Sequence, residues 1–574
     1  MTTELRLLVA CWSKNHDRNS IIKTRLLPVV LLTLSQGLWA QQLPGAGSQL
    51  RQLPPPPPPQ KSAPEIRIEE ATTTPPGAES VRVLVKALKI TGARTFSPEE
   101  LIAIARFTPG SELTLADLQV MAARITDHYR KQGYFVARAY LPAQSIADNV
   151  VTIVVSEGVL GQVTLRNQTN LSDGLAHRLL DGLDSGDPIT LAPLENRLLL
   201  LSDLPGVKVT STLVPGMLPG SSDLIVDVAP GQRVTGSIDA DNAGNPYTGE
   251  VRVGATVNLN NPLGLGDVAS LRVLTSGSGL QYGRASYQLQ LGRATAGVAY
   301  SKLEYELGEQ FESLGAHGSA DVASVYGVYP LIRSRDSNLY AGLTYDHRSF
   351  EDIIDVIPST TDKKADVWTG NLYGSHQDGF GGGGVSAFFL SFSAGDLDIE
   401  TPAALVADAA TARTNGSYNK LWLNATRLQR VTDRVSLHAS FTGQLASKNL
   451  DPSEKFVLGG MDGIRAYPQG EAFGDEGYLM SLEARLLLAG LSEHVPGQVH
   501  LLGFVDAGNV TINKDPWFAG DNERSLSGTG VGATWVDPGN FAIRTYYAHK
   551  LGNEDAISAP DKSGRFWIQA IKYF

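Results

Sequence analysis

The stretch Val251-Arg252-Val253-Gly254-Ala255-Thr256-Val257-Asn258-Leu259 sets an apolar or small side chain at every odd position and a polar residue or glycine at every even one. A period of two belongs to a strand with one apolar and one polar face. The pattern returns at 284–291, where Ala285, Tyr287, Leu289 and Leu291 alternate with Arg284, Ser286, Gln288 and Gln290, and at 435–442. From about residue 232 to Phe574 it dominates the chain. A large soluble β-sandwich or propeller also alternates in this way. The pattern, however, shows no clear blade-length repeat, and the chain ends in the aromatic Phe574 after the strand-like run 565–573, although Gln569 and Lys572 make that last pattern imperfect. In a transmembrane barrel the apolar face meets lipid and the polar face lines a wet lumen, and at ~10 residues per strand this region accommodates about 16 antiparallel strands. Long loops are expected at 351–366, 395–416 and 450–477, and the glycines at 381–384 form a turn that lacks the Lys-Ser/Thr of a phosphate-binding loop.

The other end reads as a secretory signal over residues 1–40. Lys23 and Arg25 precede an apolar run at 26–34, and Leu38-Trp39-Ala40 supplies a small residue for cleavage. That run is too short to cross ~30 Å of hydrocarbon, which takes about 20 residues. The single cysteine, Cys11, lies within this leader, so disulfides and cysteine-based metal sites are excluded from the mature chain. Residues 41–80 are a proline-rich segment and linker. The unbroken prolines at 54–59 favour extended polyproline II, and a short helix within 41–53 is compatible with the composition.

Between linker and barrel lie two α/β units, 81–158 and 159–230, with the barrel taking 231–574. The first has a strand at 83–90 and then Ser97-Pro98-Glu99-Glu100, an N-cap serine followed by proline at the first helical position and glutamate three residues after the cap. Thr114 opens a second helix that Gly133 ends, and strands are expected at 134–141 and 150–155. The second unit repeats this order more loosely, as tandem units of one architecture do.

Gly is abundant at 59 residues, charged residues are 19% and the net charge is -11, a balance that suits strands and turns and opposes nucleic-acid binding. The ten histidines form no His-x-x-x-His pair, and no Gly-x-Ser-x-Gly elbow occurs. No catalytic site, metal site or cofactor is expected.

Three stretches carry a family resemblance. They are Gly133-Tyr134-Phe135-Val136-Ala137-Arg138-Ala139-Tyr140-Leu141-Pro142, Gly463-Ile464-Arg465-Ala466-Tyr467 and Gly503-Phe504-Val505-Asp506-Ala507-Gly508. In this order they resemble the haemolysin and filamentous-haemagglutinin secretion/activation proteins, the outer-membrane transporters of two-partner secretion within the Omp85 superfamily. The resemblance implies a membrane β-barrel preceded by two small α/β POTRA domains, with Gly133, Tyr134, Phe135, Val136, Ala137 and Tyr140 marking the first. It implies a loop motif, Ile464, Arg465, Ala466 and Tyr467, folded back into the lumen so that Arg465 grips Asp506 on a wall segment that includes Phe504 and Gly508. It also implies a C-terminal assembly signal at Phe574. The family usually has glycine where this chain has Ala466, which puts the detail of the loop tip in question.

The implied function is an outer-membrane pore of a Gram-negative bacterium, its POTRA domains in the periplasm, exporting a dedicated secreted exoprotein such as a haemolysin, an adhesin or a haem-scavenging protein. The expected partners are that exoprotein, outer-membrane lipid and, during biogenesis, the barrel-assembly machinery, with no nucleic acid. A barrel-assembly factor of the same superfamily is the alternative. An extended client could add to a POTRA strand edge, with Val150, Val151 and Val155 in one unit and Asp223 and Val228 in the other as candidate docking positions.

Overall fold

A computed structural model describes residues 43–55, 57, 65–68, 82–218 and 220–574. The expected leader, 1–40, and most of the 41–80 linker lie outside the described residues. Among those described, no helix is long and apolar enough to cross a membrane. A closed barrel of sixteen antiparallel strands opens with Val234–Asp241 and ends with Gly564–Tyr573, which pairs back onto the first strand at Ser237–Asp241. Closure satisfies every ladder and leaves no edge, which is what lipid demands. The alternation sets the two faces as expected. Val253 and Leu259 stand exposed on the outside, while Arg252 and Thr256 are buried inside. At the seam Phe574 exchanges backbone bonds with Gly236, and a Cβ on Gly236 would come within 2.5 Å of the Phe574 ring.

Two of the expected long loops are partly regular structure. Ser337–Ile354 and Ser359–Asp378 are long strands paired as far as Ile354 and Ser359, so the region 351–366 narrows to the turn 355–358. The region 395–416 begins as strand and carries the helix Pro402–Ala410. The third, between Val435–Ala446 and Glu476–Leu487, is a true insertion, with a small hairpin of Phe456–Leu458 on Ala472–Gly474.

The first α/β unit folds around Leu101, Ile125, Tyr129 and Ile153. Its helices start as their caps dictate. The Glu100 backbone N–H donates to Ser97 Oγ, and Thr114 and Asp117 form a reciprocal capping box at the head of Leu115–Lys131. Gly133 follows that helix at φ +91°, in the left-handed region. The strand expected at 83–90 divides at Lys86 into Arg82–Val85 and Ala87–Thr91. The strand expected at 134–141 contracts to Arg138–Tyr140, because residues 134–137 divide their side chains between two cores. Tyr134 packs edge-on to Tyr129 at 5.8 Å in the first core, whereas Phe135 and Val136 pack against the second unit. The Gly133-to-Ala137 signature is thus a junction between units.

In the same unit the Glu157 carboxylate accepts from the backbone N–H groups of Arg94 (2.7 Å) and Thr95 (2.8 Å) and from the Tyr129 hydroxyl (2.7 Å). Burial pushes its pKa up, but these donors together outweigh burial and hold it below the usual carboxylate value.

The second unit repeats the plan, with helices Asp173–Leu180 and Leu191–Ser202 over a sheet. Both proposed docking strands prove to be interior. Val150–Ser156, with Val150, Val151 and Val155, lies between Ala87–Thr91 and Arg138–Tyr140. Ser221–Pro230, with Asp223 and Val228, lies between Val207–Pro215 and Val159–Asn167. A strand paired on both sides has little free main chain to offer. One outer edge is itself taken: the linker segment Glu65–Ile68 runs parallel to Thr210–Leu213.

Candidate functional site

The insertion at 447–475 folds into the lumen, and Arg465 is its tightest anchor. Arg465 Nε donates to Asp506 Oδ2 at 2.8 Å and Nη2 to Asp506 Oδ1 at 2.6 Å, while the Arg465 backbone N–H also reaches Oδ2 at 3.2 Å. Nη1 donates to Glu483 Oε1 at 2.7 Å and Nη2 to Ser481 Oγ at 2.9 Å. The guanidinium lies over the Phe504 ring, 3.4 Å from its centroid. Arg465 and Asp506 are both buried, Asp506 completely. A planar fork bonded in parallel to one carboxylate, stacked on an aromatic and dry, is an arrangement that lysine cannot reproduce.

The wall is shaped to receive this loop. Asp506 lies on Gln498–Thr511, where Leu502 and Phe504 share its inward face and Val505 points outward, exposed. The mixed polarity of that face follows from the loop that covers it. Leu502 and Phe504 join one buried cluster with Ile464, Ala466 and Tyr467. A Cβ on Gly508 would come within 2.6 Å of the Tyr478 carbonyl oxygen and 3.3 Å of Ile464, so glycine admits the loop there. Ala466 does not adopt positive φ. The close approach is instead provided by the wall, where a Cβ on Gly528 would lie 2.5 Å from the Ala466 methyl. The loop-motif glycine has in effect a substitute on the opposite surface.

Further anchors escaped the motif reading because each pairs residues far apart in sequence. Glu454 pairs with Arg348 and Lys420. Lys363 Nζ donates to Asp451 at 2.9 Å, and Arg524 pairs with Glu471. Lys455 donates to the fully buried Asp475 at 2.6 Å and holds the loop on itself. Trp567 Nε1 on the last strand donates to the Arg465 carbonyl at 2.6 Å.

A second object shares the lumen, at the end remote from the α/β units: the helix Ala46–Arg51, buried along Ala46 to Gln49. Asp352 accepts from the Ala46 N–H at 2.7 Å. Asn245 donates to Gln52 Oε1 at 2.8 Å and Thr248 to Gln49 Oε1 at 3.2 Å. Its small residues allow close packing against the loop, since a Cβ on Gly47 would sit 2.7 Å from that of Ser453.

At the barrel's other end Arg333 clamps Asp203 of the second α/β unit, with bonds of 2.7 and 3.0 Å. Among the described residues no cluster of His, Cys, Asp and Glu is suited to hold a metal ion.

Comparison with known proteins agrees with this architecture. Residues 220–535 match the model of the haemolysin secretion/activation protein ShlB/FhaC/HecB, and residues 83–158 match the ShlB-type POTRA domain. The chain is 28% identical over 557 residues to the heme/hemopexin transporter protein HuxB of Haemophilus influenzae, covering 94% of this chain and 97% of that protein. It is 24% identical over 422 residues to the outer membrane transporter CdiB of Dickeya dadantii, covering 71% and 72%. Among solved structures it resembles CdiB from Escherichia coli, with a TM-score of 0.64 at 22% identity over 88% of this chain and 93% of that one. It also shares the fold of BamA from Haemophilus ducreyi, with a TM-score of 0.53 at 15% identity over 86% of this chain and all of that one. The chain therefore belongs to the haemolysin secretion/activation protein family, ShlB/FhaC/HecB, the outer-membrane transporters of two-partner secretion.

Proposed function

We propose that this transporter captures one dedicated exoprotein on its periplasmic α/β units and passes it, extended, through the barrel. The observation that carries this reading is the inserted loop, clamped by Arg465 on Asp506 and Glu483 inside a sixteen-strand wall. A wall-anchored loop narrows the pore and gives it a fixed shape. The near full-length likeness to a heme/hemopexin transporter supports a client that serves haem acquisition.

Client capture by strand addition needs an outer edge. Val159–Asn167 is the outer strand of the second sheet on the side opposite the linker strand, and Ala87–Thr91 and Arg138–Tyr140 flank the first sheet. These replace the interior strands as the docking surfaces. The outward apolar band meets outer-membrane lipid, and Phe574, exposed at the seam, is the signal presented to the barrel-assembly machinery.

The test is the secretome of cells with and without this gene, measured by mass spectrometry. Loss of one large exoprotein, together with loss of growth on haem–hemopexin, supports the reading. Broad depletion of outer-membrane barrels would identify an assembly factor instead.

A further inference from the structure

Four aromatic side chains form a row across four neighbouring barrel strands. Tyr340 stacks on Tyr373 with centroids 5.2 Å apart and planes at 14°, and Tyr373 stacks on Phe389 at 5.6 Å and 18°. Phe389 meets Trp422 edge-on at 5.7 Å. Strand parity turns all four rings toward the lumen. Tyr340 shares a face with Arg348, and Trp422 with Lys420, both of which reach Glu454 of the inserted loop. Tyr373 shares a face with Lys363, which reaches Asp451, and Phe389 is its registered neighbour on the next strand. The lipid side of these strands carries other residues, such as Leu343, Trp368, Phe388 and Phe392.

The row has defined ends. Tyr340 shares a face with Asn338, which accepts from Arg333 at 2.9 Å, and Arg333 is the residue that clamps Asp203 of the second α/β unit. Trp422 is paired with Gln444, whose Nε2 donates to the carbonyls of Glu454 and Asp475 in the inserted loop, each at 3.0 Å. The rings therefore run from the junction with the periplasmic unit to the base of the loop. Trp422 packs in part against the buried cluster of the loop, but turning the other three rings toward a wet lumen leaves apolar surface in water, when the opposite parity would have placed it in lipid at no such cost.

We propose that this row is the track along which the exported polypeptide, in extended form, enters the pore. The proposal rests on the export reading above and adds to it the surface that the client touches. Ring faces accept apolar and aromatic side chains without a fixed hydrogen-bond pattern, so they tolerate any passing sequence. Several weak contacts in series favour entry without trapping the chain, the condition for conduction through any pore. The ion-paired part of the lumen wall, by contrast, has its donors and acceptors already committed to the loop.

The experiment uses the full chain in a planar bilayer, with two synthetic unstructured Gly-Ser peptides of equal length added on the side of the α/β units. One carries phenylalanine at every fifth position and the other serine there. The phenylalanine peptide is expected to block the current with dwell times longer by roughly fivefold, the scale of a single added ring contact. The Tyr373→Ala/Phe389→Ala variant should bring the ratio of dwell times close to one, while the lipid-facing Phe388→Ala/Phe392→Ala variant leaves it unchanged. Should the first variant fail to show heat-modifiable migration, Tyr373→Leu/Phe389→Leu replaces it, keeping bulk without ring faces and with the same ratio expected. Equal dwell times for the two peptides on the native protein, or a ratio that survives loss of both rings, overturns the track and leaves the pore standing. A protein that carries no current even with residues 45–51 deleted removes the pore reading, and the track falls with it.

Discussion

The inserted loop and the short helix occupy one lumen but are held in opposite ways. The loop is fixed to the wall by pairs of full charges: Arg465 with Asp506 and Glu483, Glu454 with Arg348 and Lys420, Asp451 with Lys363, and Glu471 with Arg524. The helix has six residues, a length that does not sustain helix in water. Asn245 and Thr248 hold it and the Gln52 that follows through neutral amide and hydroxyl bonds, Asp352 accepts one backbone N–H, and Arg252, already paired with Asp241, reaches the Gln52 carbonyl at 3.3 Å. The difference teaches a division of labour: the loop is bound as a part of the wall, whereas the helix rests in the lumen on far fewer and weaker bonds.

The strongest way to break that contrast is to loosen the loop. Arg465→Ala leaves Asp506 as an uncompensated buried carboxylate, while Glu483 keeps its pair with Arg485 at 2.8 Å, a loss on the order of 3–5 kcal/mol. Export should fall by about two orders of magnitude, while the barrel, closed by its own ladders, still inserts and shows heat-modifiable migration on gels. Arg465→Lys should recover only part of the export, since it restores charge without the fork or the stack on Phe504. Unchanged export in the alanine variant would refute the lock. Deleting residues 45–51 should act on the other side of the comparison. Bilayer conductance should rise severalfold, and the melting temperature should move by less than about 4 °C, the range of a change of roughly 1 kcal/mol in a domain of ordinary size. A large fall in melting temperature would mean that the helix is structural after all.

The two regions also differed in how far the sequence revealed them. The lock was legible only through the family resemblance that two short contiguous motifs carry, Ile464 to Tyr467 and Phe504 to Gly508, whereas the barrel was legible from the residues because period-two alternation persists through the whole second half of the chain. A short helix within 41–53 was compatible with the composition, but its place in the lumen was not legible, since Ala46, Gly47 and Ser48 are small residues whose meaning appears only against Ser453 and Asp352. The outlying ion pairs and the aromatic row were hidden for the same reason: register across strands brings Arg348 to Glu454 and Tyr340 to Tyr373, and local pattern carries no register. The docking strands were misplaced because a valine-rich alternating strand reads alike at the centre of a small sheet and at its edge.

A third test compares anchoring by a cation with anchoring by neutral donors alone. Glu157 is held by two backbone N–H groups and the Tyr129 hydroxyl, which keep its pKa below the usual value. A depressed carboxylate contributes its full stability above its unfolded pKa, about 4.3, and loses it as pH falls through the lowered value. Hydrogen exchange at the Arg94 and Thr95 amides should therefore stay protected at neutral pH and accelerate as the pH falls through that lowered value, beyond the intrinsic pH dependence of exchange. Glu157→Gln, which cannot titrate, should abolish that acid-linked loss. A variant that loses protection over the same pH range as the native protein would assign the effect to another group.

The smallest effect is expected at Ala466→Gly, which restores the residue usual in this family. Ala466 already has ordinary backbone geometry, and its methyl fills the space that Gly528 leaves open in the wall. Glycine would add unfolded-state freedom and remove one packed methyl, a loss of about 1 kcal/mol or less against a lock several times stronger. Export should stay within about twofold of native. Gly528→Val should do more harm than Ala466→Gly, because its side chain would collide with the Ala466 methyl and push the loop from the wall. If the order of the two were reversed, the site would depend on flexibility in the loop tip, and the account of Gly528 as the residue that makes room for alanine would fail.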